Sequence, residues 1–493
     1  MSLSAIAEPR RVSLSLGDVG IALAVVLPLA AIIAPYRAVH LPQTFILAIA
    51  LLGGVLCLKL AVEDVEKLMF LFLLYIPFQK VLPGDFGGMA KAVNFTNALM
   101  LLLFFGWLVI RKQDTGGPQA RRWTMLDFAV VVFLGIVTIA ITTEALRQST
   151  DMRYEMLSDL KRWLTPFVVY FLVTAIGRSR KMVNRMLLAV LVTTAVIGLL
   201  GVKQFWMDMG GGTRHNLSEI RIKVTSGPSN LGAFFAYYLP YMVALWFANF
   251  WRLSYWAFVF PIVWCMDALR TTFSRGAAVA FLAGVAVILW KRSKIAFALV
   301  AITVTLVFQS GDVTLPYSIF GRMTETYRSD RPGDTVTDKL DRSARTRVII
   351  WNGGLQMVKD NPLFGVGYGR FPSLIGSYAP EVAGMDPHNN YLKIAAEMGL
   401  PALVSFVALI MLCFWRGYRI YGKVTDPFTK ALLLGYIGSV AGLFVANIFG
   451  SRLDSEEITT QFWAMTGGVA LLGRLPEDGQ AEGEDGDEPE SEE

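Results

Sequence analysis

The 493-residue chain is poor in cysteine, histidine and charge: three residues are Cys, three are His, and 17% are Asp, Glu, Lys or Arg. Each scarcity excludes a class of chemistry. Cys57, Cys265 and Cys413 lie inside apolar runs, where a thiol behaves as a small buried hydrophobe, so there is neither a disulfide framework nor a paired-cysteine zinc spacing. HExxH is missing, and so is a glycine-rich phosphate loop followed by Lys and Ser or Thr. The only Asp-x-Asp, at Asp485 and Asp487, falls in the acidic C-terminal stretch, so no outward loop offers the usual carboxylate pair for a divalent cation on a sugar diphosphate. No metal and no cofactor is therefore expected. A diphosphate handled on the outer side would have to be neutralised by arginine.

What the chain does have is apolar length, with 54% of its residues hydrophobic. Runs of roughly 15 to 22 apolar residues, bounded by Arg, Lys or Pro, match a helix crossing a hydrocarbon core of about 30 Å, whereas a barrel needs shorter alternating strands. The expectation is an all-α, polytopic transmembrane bundle whose partner is the lipid bilayer. Fourteen runs qualify: Val19 to Ala34, Phe45 to Leu58, Leu68 to Phe78, Ala98 to Ile110, Leu126 to Ile141, Leu164 to Ile176, Met186 to Leu200, Leu231 to Phe250, Tyr255 to Leu269, Ala277 to Trp290, Ile295 to Phe308, Leu400 to Phe414, Ala431 to Phe449 and Phe462 to Leu472. The Leu68 run and the last one are the shortest fits. Alternation from a cytoplasmic N-terminus places Arg111, Lys112, Arg121 and Arg122 inside, then Arg178, Arg180 and Lys181, then Lys291, Arg292 and Lys294, then Arg416, Arg419 and Lys423, in line with the positive-inside rule. The net charge of +6 is read as this orientation, with no nucleic acid partner. Glu477 to Glu493, acidic and free of aromatic residues, reads as a disordered cytoplasmic tail.

The same alternation leaves outside the loops holding Arg214 and His215, the stretch Arg270 to Arg275, and an insertion of 90 residues from Gln309 to Met398. That insertion is too long for a turn. Its first half mixes both charge signs, and Asp334, Asp338 and Asp341, interleaved with Lys339 and Arg342, read as a solvated face rather than a metal site. Its second half shows helical periodicity through Val348, Trp351 and Leu355, then a Pro and Gly turn. No separate soluble domain is apparent.

Chemistry-bearing residues gather at three places. PHNNYLKIAAEMGLPALVSFVALI, Pro387 to Ile410, sets His388, Asn389, Asn390, Tyr391 and Glu397 against the start of a span, and reads as one helix entering the membrane with Pro387 in its first turn. LRTTFSRGAAVA places Arg275 at the outer end of a span, where it can snorkel or bind something anionic, and Gly276 to Ala278 allow close approach by a helix or ligand. Arg347 precedes the amphipathic helix and reads in isolation as a surface or ion-paired Arg. Arg214, His215 and Arg270 are weaker candidates, and His40 is incidental. A lone His is more often structural than catalytic; its company raises His388.

At these residues the chain resembles the O-antigen ligase and polymerase family. SGPSNLGAFFAYYLP (Ser226 to Pro240), TFSRGAAVA, TRVIIW with NPLFGVGYGRF, and HNNYLKIAAEMGL follow the family's motifs in order, over roughly Ser226 to Leu472. The resemblance implies a GT-C-like glycosyltransferase architecture of about 12 to 14 spans with one long periplasmic loop. It divides the chain into N-terminal helices (1–225), the ligase-like region (226–475, including loop 309–398) and the tail (476–493). It also implies transfer of a glycan from an undecaprenyl diphosphate carrier at the outer face of the bacterial inner membrane, without metal and with inversion. Arg275 and Arg347 would hold the diphosphate, and His388 would assist the acceptor hydroxyl. The acceptor would be a growing glycan, for a polymerase of O-antigen or exopolysaccharide, or a lipid A core, for a ligase; polymerase stands slightly ahead. A chain-length regulator or flippase would be a natural companion. The competing expectation is a transporter or lipid-linked oligosaccharide flippase in which the same charges bind cargo without turnover.

Overall fold

The computed structural model describes residues 18–22, 43–80, 95–113, 123–210, 222, 224, 227–309, 326–327, 338–450 and 455–475. Among these residues the chain is helical, and its only extended pairing is an isolated bridge between Tyr327 and Leu340. The N-terminal half contributes α1 (Gln43–Glu63), α2 (Val65–Tyr75), α3 (Phe95–Gln113), α4 (Met125–Arg147), α5 (Thr150–Ile176) and α6 (Arg180–Gly210). Then come α7 (Pro228–Ala248), α8 (Val259–Thr271), α9 (Arg275–Arg292) and α10 (Lys294–Gln309). The insertion supplies α11 (Arg342–Asp360), α12 (Phe371–Tyr378) and α13 (Asn390–Met398), and α14 (Leu400–Lys423), α15 (Pro427–Ala446) and α16 (Glu456–Leu472) complete the bundle.

The protein is an all-α polytopic membrane bundle. Among the described residues, six helices are long and apolar enough to cross a membrane by length and composition: α3, α4, α6, α7, α14 and α15. Several of the other apolar runs fall on shorter helices. The Leu68 run is α2, whose 11 residues rise only about 16 Å, and eight of them are buried. The Phe462 run lies in α16, buried along its whole length. Both short helices lie in the bundle interior, α16 packing on the turn Ile76–Phe78 that follows α2. Glu66, at the start of α2, accepts from Arg178 N (3.2 Å) and Ser179 Oγ (2.9 Å), beside Gly177, which packs on Leu471 at the end of α16. Past the other end of α2, Lys80 meets Glu457 at 2.6 Å, and Gln461 Nε2 donates to the carbonyl of Leu73 in the last turn of α2. A helix enclosed by protein need not match the bilayer thickness, which is why apolar length alone overcounts lipid-facing spans.

Contacts of this kind sort the helix ends into two sets. One end gathers Asp18 with Arg185 (3.1 Å), Tyr170 and Arg474 on Asp127 (2.8 and 3.6 Å), and Lys291 over the Tyr418 ring (3.9 Å). It carries Arg111, Lys112, Arg292 and Lys423 at helix ends and is the basic end. The opposite end gathers Lys80, Lys161, Glu456, Glu457 and the whole insertion beyond α11.

At the centre, α7, α9 and α15 pack through glycines. Cβ atoms built on Gly284 and Gly442 would lie 2.6 Å from the Gly438 carbonyl oxygen and 2.5 Å from that of Ala236. Backbones this close gain dispersion contact that larger residues would forbid. Gly442→Ala is therefore expected to lower the thermal midpoint in detergent, at a cost of about 1–3 kcal/mol. Gly422→Ala, which meets nothing within 4 Å, should match or exceed the parent because alanine is the better helix former. Equal midpoints for the two variants would contradict the tight three-helix centre.

Candidate functional site

The expected single helix from Pro387 starts only at Asn390 and is broken at Gly399. Pro387 and His388 precede the helix; Asn389 is the residue that caps α13, its side chain accepting from Leu392 N at 3.1 Å. Gly399 then takes φ 87° and separates α13 from α14, with Pro401 in the first turn of the new helix. A Cβ at Gly399 would lie 2.1 Å from the Leu363 carbonyl oxygen. The Pro and Gly turn ahead of α12 docks against this break: Val366 N donates to Ala396 O (2.8 Å), Gly367 N to Glu397 O (3.2 Å) and Leu400 N to Pro362 O (2.8 Å). Positive φ at Gly365, Gly367 and Gly369 makes that turn possible.

Glu397 is 1% exposed and fixes the same turn, Oε1 accepting from Phe371 N at 3.2 Å. Burial pushes its carboxyl up to about 7, against the opposing pull of Lys393 and the backbone N–H groups of Gly369 and Phe371. With Asn390, Trp163 and Tyr368 it lines a cavity of about 10 Å³, where Trp163 Nε1 donates to Tyr368 Oη at 3.1 Å. Asn390 is 2% exposed, and its backbone N–H donates to the Asn447 carbonyl (2.8 Å). Tyr391 donates from Oη to the Phe444 carbonyl (2.7 Å), and burial raises its phenol well above the ordinary range. Asn389, Tyr391 and Glu397 thus do structural work that positions the loop carrying His388.

His388 itself stays in the open, its side chain 58% exposed, with Nδ1 3.5 Å from Asp386 Oδ1; Asp386 also accepts from Lys393 Nζ at 3.3 Å. Its φ of 48° is a left-handed value that L residues adopt at a cost, and Phe273, at φ 50°, is the other non-glycine case among the described residues. Phe273 lies two residues before Arg275. Both strained positions thus border residues singled out from the sequence, and such strain persists only where surrounding contacts over-determine it.

Arg275 begins α9, capped by Ser274, with Gly276 pressed on Phe449 as its small size allowed. The arginine does not snorkel. Its Nη1 donates to Thr326 Oγ1 (2.5 Å) and to the Asp341 carboxylate, and its side chain is 16% exposed. Asp341 is not part of a merely solvated face: it also caps α11, accepting from Ala344 N at 2.7 Å. Asp338 is paired too, with Arg345 at 3.3 Å. Arg347, one turn into α11, is brought to the same place. Burial lowers its pKa, Arg275 nearby lowers it further, and Asp341 acts oppositely. Two guanidinium groups therefore share the field of one carboxylate.

Helix α11 joins this pair to the His388 loop. Trp351, four residues past Arg347 and so on the same helix face, donates from Nε1 to the Pro387 carbonyl at 2.9 Å. The buried stripe of α11 is Ile350, Gly353, Gly354, Met357 and Val358, while Leu355 is 51% exposed, so the apolar face is rotated from the expected Val348, Trp351 and Leu355. That stripe, with Phe371, Ile375 and Leu392, gives the insertion a small core of its own.

Arg270 stands apart, paired with Asp267 (2.7 Å) and placed over the Phe205 ring. Arg214, His215 and His40, like Asp334 and the acidic tail, lie outside the described residues. Sequence reasoning passed over Asp341 as a partner, although an Asp directly before an apolar-periodic helix is an N-cap signal. It also missed Asp386 and the buried Glu144, which meets Arg370 at 3.8 Å beside Gly367; nothing in the spacing announces either.

Residues 260–407 match the O-Antigen ligase family, a stretch that contains Arg270, Arg275, Arg347, His388 and Glu397 and bears out the resemblance seen in the motifs. No curated protein matches the chain.

The raised carboxyl of Glu397 has a measurable sign. A folded-state value above the ordinary one means that the folded protein holds the proton more tightly, so this residue favours folding below about pH 4.5 and that contribution is lost as pH rises through about 7. The slope is at most about 1.4 kcal/mol per pH unit. Glu397→Gln, which keeps an acceptor for the turn, should flatten the fall in thermal midpoint between pH 5 and 8, and it should be more stable than the parent at pH 8. Parallel pH profiles for the two proteins would show that Glu397 stays ionised.

Proposed function

Since this membrane chain carries the O-antigen ligase region at residues 260–407, we propose that it is a glycosyltransferase moving a glycan from a polyprenyl diphosphate carrier, undecaprenyl diphosphate, to an acceptor hydroxyl. The observation that carries this reading is the convergence of Arg275 and Arg347 on one carboxylate, tied through Trp351 to the strained His388 loop. The positive-inside rule, applied to the basic end, supports a site on the periplasmic side of the inner membrane.

In the proposed reaction the acceptor oxygen attacks the anomeric carbon as the bond from that carbon to the carrier diphosphate breaks. The leaving oxygen takes the bonding electron pair, and its charge develops beside the two guanidinium groups. Arg275 exchanges Asp341 for the diphosphate. The hydroxyl proton passes to the exposed imidazole of His388, which Asp386 orients through Nδ1. One displacement inverts the anomeric configuration. Two arginines supply the positive charge that a divalent cation otherwise provides. A growing glycan as acceptor makes the protein a polysaccharide polymerase, and a lipid A core makes it a ligase; polymerase is favoured slightly, and a chain-length regulator or flippase would then work beside it.

His388→Gln keeps a hydrogen-bonding side chain but cannot take a proton near neutral pH. It is expected to lower turnover of a lipid-linked glycan by about 10² or more, with donor binding and folded yield close to the parent. Near-parental turnover would leave His388 as a positioning group and remove the base.

Arg275→Lys retains charge without the two-pronged geometry, and should weaken donor binding while transfer by the parent protein survives a strong chelator. Activity lost to chelation and restored by magnesium or manganese would overturn the arginine clamp. Donor binding and release on the two sides of a vesicle without glycan transfer would favour the flippase reading instead.

A further inference from the structure

A sizeable cavity lies at the basic end, away from the site. It measures about 550 Å³ and sits between the start of α4, the start of α6, the last turns of α14 and the chain just past α16. Helix α14 sets the separation: its first residue adjoins Gly399 at the site end, and its 24 residues rise about 36 Å to Lys423 on the cavity wall.

Four cations line the cavity, Arg180, Arg416, Arg419 and Lys423. Among the described residues no carboxylate pairs with Arg416, Arg419 or Lys423. The Arg416 Nη2 group reaches only the Ala470 carbonyl, at 3.4 Å, and its buried Nε has no partner. The rim has the opposite character. Trp415 and Met125 are 56% and 75% exposed, and they stand on α14 and α4, both membrane-crossing by length and composition. A cavity with cations at its floor and exposed apolar side chains at its rim, placed at the ends of two spans, offers the two environments found at the boundary between headgroups and acyl chains.

We propose that this cavity binds the headgroup of an anionic phospholipid. The phosphate lies among Arg416, Arg419, Lys423 and Arg180, and the glycerol and first acyl carbons rest on Trp415 and Met125. A free phosphate would gain nothing from that rim. The acidic segment 476–493, which begins just after the cavity-lining Leu475, has the charge to compete but no apolar part to match it.

Native mass spectrometry of the full chain in detergent, titrated with phosphatidylglycerol, cardiolipin or phosphatidylcholine, tests this directly. The anionic lipids are expected to be retained at least about tenfold more tightly than phosphatidylcholine, and the preference should largely vanish in Arg416→Gln/Arg419→Gln/Lys423→Gln. Arg419→Gln alone, an exposed position, should weaken retention several-fold and serves if the triple variant does not fold. Arg111→Gln/Lys112→Gln, at the same end but outside the cavity, should leave retention unchanged. Equal retention of all lipids, or equal loss in the α3 variant and the cavity variant, would overturn the site. A preference that emerges only after removal of 476–493 would show that the acidic segment fills the cavity and would also overturn it.

Discussion

Two backbone carbonyls at the end of α15, those of Phe444 and Asn447, hold the site end of the molecule together. Away from water a carbonyl or an N–H without a partner costs several kcal/mol, so irregular backbone at membrane depth survives only where protein satisfies it. Tyr391 Oη and Asn390 N meet these two carbonyls, which fixes the start of α13. Two residues further on, Phe449 lies against Gly276 and fixes the start of α9. The loop carrying His388 and the helix start carrying Arg275 are thereby referred to one short segment. Helix α11 adds Arg347 through its cap Asp341, which binds Arg275, and through Trp351, which binds the Pro387 carbonyl. Functional groups from three distant parts of the chain are set by a handful of hydrogen bonds and one glycine contact.

Much of this architecture was legible because its causes are local. Apolar run length announces a membrane bundle, and basic residues at one set of helix ends announce a common side. The GVGYGR stretch was readable as a turn and the small residues after Arg275 as a place for close approach, and close approach is what Gly276 provides. The break at Gly399 was readable as well, since Gly-Leu-Pro both ends one helix and starts the next, but the apolar continuity across it suggested one helix. What stayed hidden depends on distance along the chain. Asp341 lies 66 positions from Arg275, and Glu144 reaches Arg370 from an earlier helix; no periodicity carries such pairings. The face of α11 was misjudged for a related reason, since Gly353 and Gly354 are buried by neighbours rather than by their own hydrophobicity.

The polar residues of the site divide the labour in a way composition cannot show. Asn389 caps, Asn390 and Tyr391 anchor, and Glu397 secures a turn, leaving His388 and the two arginines as the groups with chemistry to offer. Burial sets the imidazole apart from its supports: Asn390 and Glu397 are nearly inaccessible, whereas His388 is open. A buried, packed support beneath one exposed imidazole is what lets a strained backbone angle persist at His388.

Helix α16 raises a matter of assembly order. It is only 17 residues long, begins with two glutamates and carries Thr459, Thr460, Gln461 and Thr466, yet it is enclosed along its length by α5, α6, α7, α14, α15 and the turn Ile76–Phe78 that follows α2. A segment so short and polar has little affinity for lipid by itself. Its partners, Lys80 and Lys161 for the glutamates and Leu73 and Thr193 for Gln461, all belong to the first half of the chain and are synthesised long before it. The socket formed by the earlier helices, rather than the bilayer, is therefore the solvent that α16 suits.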